Sequence, residues 1–421
     1  MKFNALNSPS YRRFWLGSIA SIGSVQLYFV GLAWLVFELS GSPFDLGILG
    51  ATIAIPTIFS TLIGGIMADR IDRRKLLLVT TSMTGIVLIV LTLLDATELI
   101  LVWHVFLLAA LLGLIHGFEM PARSSLFPSL INSNQMMSAV ALNTILWQGT
   151  RMILPVIGGL LIAVSDTVIV FALSALGFFA MTAVLKTIKI ETSLQEAGKA
   201  SDEFFRGVRF VIENRIFRTL IVLTFSLHFF VTSYIQIMPV FADLLGGDER
   251  TYGLLLSIQG IGSVIGTFTV RHFQQSKRLG MIIVMFAVLS PVTLLGFAFL
   301  TSFPISGEGG FLLISFFVVI SAIFGAAFLV SSMTVLQLIV PDDLRGRVMG
   351  IHSITFSLIP LGGLLIGALA SAFTPSMSVT IGSLISLLAV FWIVRANKEI
   401  WRLNGENMTD VQLHSTPIHK I

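Results

Sequence analysis

The sequence contains no cysteine, which excludes disulfides, thiolate metal sites and cysteine nucleophiles. Charge is scarce too. Asp, Glu, Lys and Arg make up 11% of the 421 residues, against about 25% in soluble domains. Such a chain cannot dress a water-facing surface. Enzyme motifs are also missing. No Gly-x-x-x-x-Gly-Lys-Ser/Thr loop is present to cradle a nucleotide, which speaks against direct ATP drive. There is no His-Glu-x-x-His zinc helix and no Gly-x-Ser-x-Gly elbow. The seven histidines are scattered without ligand spacing. We therefore expect no enzyme, no cofactor and no metal site.

What is present is apolar. Hydrophobic residues make up 55% of the chain, and the mean hydropathy is +0.93. The apolar runs last about 20 residues, the length of a membrane-crossing helix rather than of a barrel strand. The expected fold class is an all-α membrane protein of twelve transmembrane helices. The spans fall near 14–39, 45–68, 76–94, 99–121, 138–164, 167–186, 217–241, 252–272, 279–301, 311–340, 347–371 and 375–395. The first run is too long for a signal-peptide core and is read as a retained span. The run 311–340 exceeds one bilayer thickness and must tilt or reach into water.

Basic residues set the orientation. Of the 26 lysines and arginines, all but Arg151 and Arg250 fall in the leader, the even-numbered loops, the central stretch, the tail or span ends beside them. The odd-numbered loops carry acids, among them Asp95, Asp166, Asp248 and Glu249. The positive-inside rule then places both termini in the cytoplasm of a multi-pass protein of the cell (inner) membrane. It also accounts for the basic pI without nucleic acid.

The longest polar stretch divides the chain. We expect an N-terminal six-helix bundle over 1–186, a cytoplasmic central loop with an amphipathic helix over 187–216, a C-terminal six-helix bundle over 217–395 and a cytoplasmic tail over 396–421. In the central loop Phe204, Phe205, Val208, Val211 and Ile212 recur at helical spacing. The halves echo each other. Pro155, Gly158 and Gly159 in span five recur as Pro360, Gly362 and Gly363 in span eleven, and Gly266–Arg271 echoes Gly65–Arg70. A shift near 200 residues relates each pair, the mark of a parallel repeat about an axis along the membrane normal.

The stretch from Gly65 to Lys75 packs Asp69, Arg70, Asp72, Arg73, Arg74 and Lys75 between two apolar runs. Gly65 permits close helix approach, and Asp69 one turn later can pair with a base or a helix N-terminus. This pattern resembles the loop-two-to-three signature of the major facilitator superfamily, with Asp72 where that family usually has glycine. Phe14–Gly17, Trp34–Ser42, Met120–Arg123, Ala139–Asn143 and Arg345–Met349 resemble its branch of enterobactin exporters and macrolide-efflux proteins. The resemblance implies two six-helix bundles rocking about a central cavity. It also implies a cytoplasmic latch of Gly65, Asp69, Arg70, Arg73, Arg74, Arg123, Arg345 and Arg347, with Asp69 pairing near the start of span eleven. Span five, Arg151 to Gly159, is similar to the family's antiporter motif, with Leu154 in place of the glycine before Pro155. That motif goes with exporters; its small residues and proline also suit a bent packing helix.

Polar residues inside spans are the direct route to a site. Arg151 at mid-span costs about 2.5–3.5 kcal/mol on the insertion scale, so it should face protein or a wet cavity. Asn143, Trp147 and Arg151 share a helix face, with Gln148 beside them. His116, Glu119 and Arg123 share a face of span four, fitting either an ion pair or a proton relay. In span seven His228 and Gln236 share a face, and span one offers Tyr28. Many proton-coupled relatives carry an acid near Ser24; this chain has none there, which leaves Glu119 or Glu38. These residues suggest a secondary active, proton-coupled exporter of amphipathic small molecules, of drug or siderophore type, that works as a monomer. A facilitator or importer of the same fold, and a non-transporting membrane scaffold, are the alternatives.

Overall fold

A computed structural model of the chain describes residues 4–188, 200–274, 276–304, 308–341 and 344–405, without the side chains of 62, 65–70, 133, 200–205, 308, 345, 346 and 353. The described residues are helical, with no strand among them. Twelve helices are long and apolar enough to cross a membrane. They are α1 (Pro9–Ser40), α2 (Pro43–Arg70), α3 (Arg73–Ala96), α4 (Val102–Leu126), α5 (Met136–Val164) and α6 (Thr167–Thr187). The second six are α7 (Arg215–Leu244), α8 (Glu249–His272), α9 (Leu279–Thr301), α10 (Gly309–Ile339), α11 (Arg347–Ala372) and α12 (Pro375–Ala396). At 31 residues α10 measures roughly 46 Å, longer than the hydrocarbon core is thick.

Local chemistry sets the ends. Ser8 caps α1, with Pro9 opening it, and Gly41 at φ 60° closes it in the left-handed conformation that glycine adopts freely. Asp72 caps α3, accepting from the backbone N–H groups of Arg74 (2.9 Å) and Lys75 (3.2 Å). The unusual aspartate of the loop signature thus has a structural task. Asn214, Asp248 and Thr374 cap α7, α8 and α12. A separate helix, Ala200–Glu213, occupies the central loop and packs on the start of α11, where Gly207 lies against Arg347.

Two helices are broken. α7 passes through a π-turn at Leu227–Val231 and a 3-10 stretch at Thr232–Ile237, and α11 is interrupted by a 3-10 turn at Thr355–Ser357. The two breaks are joined: His228 Nδ1 lies 3.0 Å from the Thr355 carbonyl oxygen.

Within the first six helices α1 packs on α5 and α6, and α2 and α3 pack on α4; within the second, α8 packs on α10 and α9 on α10 and α12. The two bundles meet along α2 with α11 and along α5 with α8. At both seams glycine lies against backbone. A Cβ on Gly253 would lie 2.6 Å from the Pro155 carbonyl oxygen, and one on Gly47 would lie 2.7 Å from that of Gly363. A Cβ on Gly159 would stand 3.1 Å from the Gly253 Cα, and one on Gly367 3.1 Å from the Gly47 Cα. The two crossings are offset by roughly 200 positions, the interval of the internal repeat. All of these glycines lie toward the end of the molecule that carries the acidic loops. There, too, Trp34 of α1 stacks on Tyr252 of α8, with ring centroids 5.9 Å apart.

Candidate functional site

Three groups of polar side chains occupy the interior. The first lies inside the N-terminal bundle. Arg123 Nη2 donates to Glu119 Oε1 at 2.7 Å, one helical turn away on α4. The guanidinium also donates to Ser18 Oγ (2.9 Å) and Ser21 Oγ (3.0 Å) of α1. Glu119 is 3% exposed and Arg123 7%, so the pair is a buried, hydrogen-bonded unit rather than a solvated one. Half-buried His116 feels both charges. Tyr28, buried on α1, lies within reach of the Glu119 charge. These four residues are brought together. Arg123, grouped with the latch by resemblance, is tied here to its own bundle.

The second group lies between the bundles. On α5, Trp147, Gln148 and Arg151 are half-buried and Asn143 is exposed. Arg151 comes from the N-terminal bundle, yet its charge acts on His228 of α7 in the C-terminal bundle. His352 of α11 acts on His228 as well. Both imidazoles lean on Phe356, with ring centroids 4.9 Å away for His228 and 6.3 Å for His352. His352 is buried, and its Nε2 has no hydrogen-bond partner among the described residues. Sequence reasoning missed His352. Its signal was a histidine inside an apolar span, the same signal that marked His228. Gln236 does not join this group. It fills the crossing of α2, α7 and α11, where its Nε2 would lie 2.6 Å from a Cβ on Gly50.

The third group is the basic loop before α3. Arg73 Nη1 donates to the Ser125 carbonyl at 3.3 Å. Arg74 donates from Nε to the Leu185 carbonyl at 2.7 Å and from Nη2 to the Lys186 carbonyl at 3.0 Å. Both arginines therefore answer carbonyls at the C-terminal ends of α4 and α6, where cations are favoured. The side chains of Gly65–Arg70 and of Arg345, expected in the latch, lie outside the described residues. Arg347 is half-buried beside the central-loop helix. The packing-motif residues line helix crossings: Pro155 and Gly159 against α8, Gly158 against Val30 of α1, Pro360 against Gly50, Gly362 against Phe229, and Gly363 against Gln236 and Gly47.

This arrangement has no reacting centre. It offers an ion pair sealed within one bundle, a group of Arg151, His228 and His352 between two bundles, and glycine seams on which those bundles meet. The family described as transmembrane secretion effector matches the chain over residues 1–417. The chain belongs to this branch of the major facilitator superfamily. It is a multi-pass membrane transporter, not an enzyme. Among curated relatives, the enterobactin exporter EntS of Shigella boydii serotype 18 is 27% identical over 386 residues, covering 88% of this chain and 87% of that protein. EntS of Escherichia coli O157:H7 is 26% identical with the same coverage. Among solved structures, a bacterial homolog of the human lysosomal transporter Spinster, in an inward-facing and occupied conformation, shares the fold. Its TM-score is 0.73 at 13% identity, covering 93% of this chain and 97% of that one.

Proposed function

We propose that the chain is a secondary active exporter of amphipathic small molecules, of siderophore or drug type, working by alternating access and driven by a proton gradient. The observation that carries this reading is how the bundles meet. They join along two seams, α2 with α11 and α5 with α8, where glycine lies on backbone toward the acidic end at positions that repeat between the halves. With the basic loops and both termini in the cytoplasm of a cell inner membrane, these crossings lie toward the outer face, and rocking about α2–α11 and α5–α8 would part them and open that side. Proton and substrate then favour opposite states of one cavity, each shifting the population by its difference in affinity. The enterobactin exporters among the relatives support the export direction and the siderophore class. The working unit in this reading is the monomer.

Inside-out vesicles test it. With an imposed proton gradient, they should accumulate members of a siderophore and drug panel, and a protonophore should abolish accumulation. A second reading, an uncoupled facilitator, is favoured by the engagement of Glu119 with Arg123, which leaves it less free to carry a proton. In that case panel members equilibrate across the membrane with or without the protonophore.

A further inference from the structure

The basic-loop ends of the two bundles are fastened by different means. In the N-terminal bundle α1 and α3 both pack on α6, and arginine side chains hold the three together. Arg13 of α1 donates to the Thr187 carbonyl at 3.5 Å, and Arg74 of α3 donates to the Leu185 and Lys186 carbonyls. Under the internal repeat the counterparts of these helices are α7, α9 and α12, and α7 and α9 both pack on α12. There the fastening is main chain. α9 opens at Arg278, whose side chain makes no cap bond among the described residues. The chain leaving α12 turns back instead. Asn397 is buried; its Nδ2 donates to the Arg215 carbonyl (2.9 Å) and to Thr219 Oγ1 of α7, while its Oδ1 accepts from Glu399 N (3.2 Å). The amide is thereby saturated. A 3-10 turn, Lys398–Arg402, carries the chain onto α9, with Ile400 and Leu403 buried. The Leu403 carbonyl accepts from Gly280 N at 3.2 Å, and Gly405 N donates to the Ser276 carbonyl at 2.9 Å. In α3 the amide of the second helical residue, Arg74, goes to Asp72. In α9 the amide at the same place, that of Gly280, goes to the returning chain. Both are orphan donors of a first turn. The seat is close: a Cβ on Gly280 would run into the Ile400 carbonyl oxygen.

We propose that residues 397–405 are a built-in clasp. The clasp does in the C-terminal bundle what Arg13 and Arg74 do in the N-terminal one: it holds the cytoplasmic ends of the first, third and sixth helices together, so that the bundle rocks as one body. Its part in transport rests on the alternating-access reading; its hold on α7 and α9 does not. The tail expected from residue 396 onward thus begins as working machinery of the bundle.

Hydrogen exchange of the full chain in nanodiscs tests the hold. Asn397→Ala, which removes the bonds to α7, and Gly280→Leu, which unseats the strap from α9, should each speed exchange at least about fivefold in the first two turns of α7 and α9. Both should leave α3 and α6 at the native rate, and Arg74→Ala should do the reverse. The pair Ser276→Cys and Gly405→Cys, in a chain with no other thiol, should form a disulfide, and that link should return Asn397→Ala to native rates. Unchanged exchange in both single variants, loosening spread equally over the two bundles, or cysteines that do not link in the otherwise native chain would each overturn the proposal. Vesicle flux of the siderophore and drug panel tests the part in transport. It should fall several-fold in Asn397→Ala and recover on linking; loosened α7 and α9 with undiminished flux would overturn that part. No flux of any panel member by the native chain removes the transport reading itself, and the exchange rates still decide the clasp.

Discussion

At the scale of single residues, the buried pair on α4 sets the sharpest demand. Taking Glu119 and Arg123 from water is costly, and the cost is met only while both partners and the two serines of α1 are in place. Removing one partner strands the other. Glu119→Gln or Arg123→Ala should therefore lower stability by about 3–5 kcal/mol, read as a fall in the thermal midpoint of the purified protein. Joint replacement by glutamines should recover part of the loss. An unchanged midpoint in either single variant would contradict the account. Glu119→Gln also addresses coupling: if the pH dependence of vesicle flux is the same as in the native chain, Glu119 is not the coupling acid. The i,i+4 spacing made this pair legible in the sequence. Ser18 as a partner was not, because a contact between helices depends on where two faces meet, and no local pattern records that. His352 was hidden for a related reason. Its neighbour in space, His228, is far from it along the chain.

At the scale of elements, hydropathy and charge sufficed for the twelve spans, since a bilayer imposes one length on every crossing helix. The breaks in α7 and α11 left no such trace. Neither π-turn Leu227–Val231 nor 3-10 turn Thr355–Ser357 contains a glycine or proline, and the tertiary bond from His228 to Thr355 is what spans them. The glycine crossings were partly visible as the repeated Pro and Gly-Gly patterns of spans five and eleven. Their partners Gly47 and Gly253 were not, because a small residue declares a close approach only when the opposing helix is known. Since both crossings press glycine on backbone, Gly253→Leu or Gly367→Leu should cost at least about 1–3 kcal/mol from overpacking and should spread the bundles at the acidic end. Cross-linking reads the spreading. Phe44 N donates to Ser371 Oγ at 3.1 Å across that seam, so the pair Phe44→Cys and Ser371→Cys should link readily in the otherwise native chain and slowly when Gly367→Leu is added. Equal linking rates would show that the seam tolerates the larger side chain. The lack of native cysteine makes the measurement clean.

At the scale of the whole molecule, the acidic and basic loops lie at opposite ends of the helices, and the internal repeat makes one half a counterpart of the other. Thiol labels introduced singly at Asp95 and at Glu213 should react from opposite sides of sealed vesicles, with Glu213 on the cytoplasmic side. Reaction from the same side would refute the orientation. The ring pair at the acidic end carries a further consequence. Indole and phenol stack there across two bodies, one ring from each. Any cycle that unseals that end must pull them apart and let water reach the indole. The protein thus holds its own optical gauge of which door is open: the emission of Trp34, isolated by difference against Trp34→Phe, should shift to the red each time the outer door swings, and hold still when it is bolted.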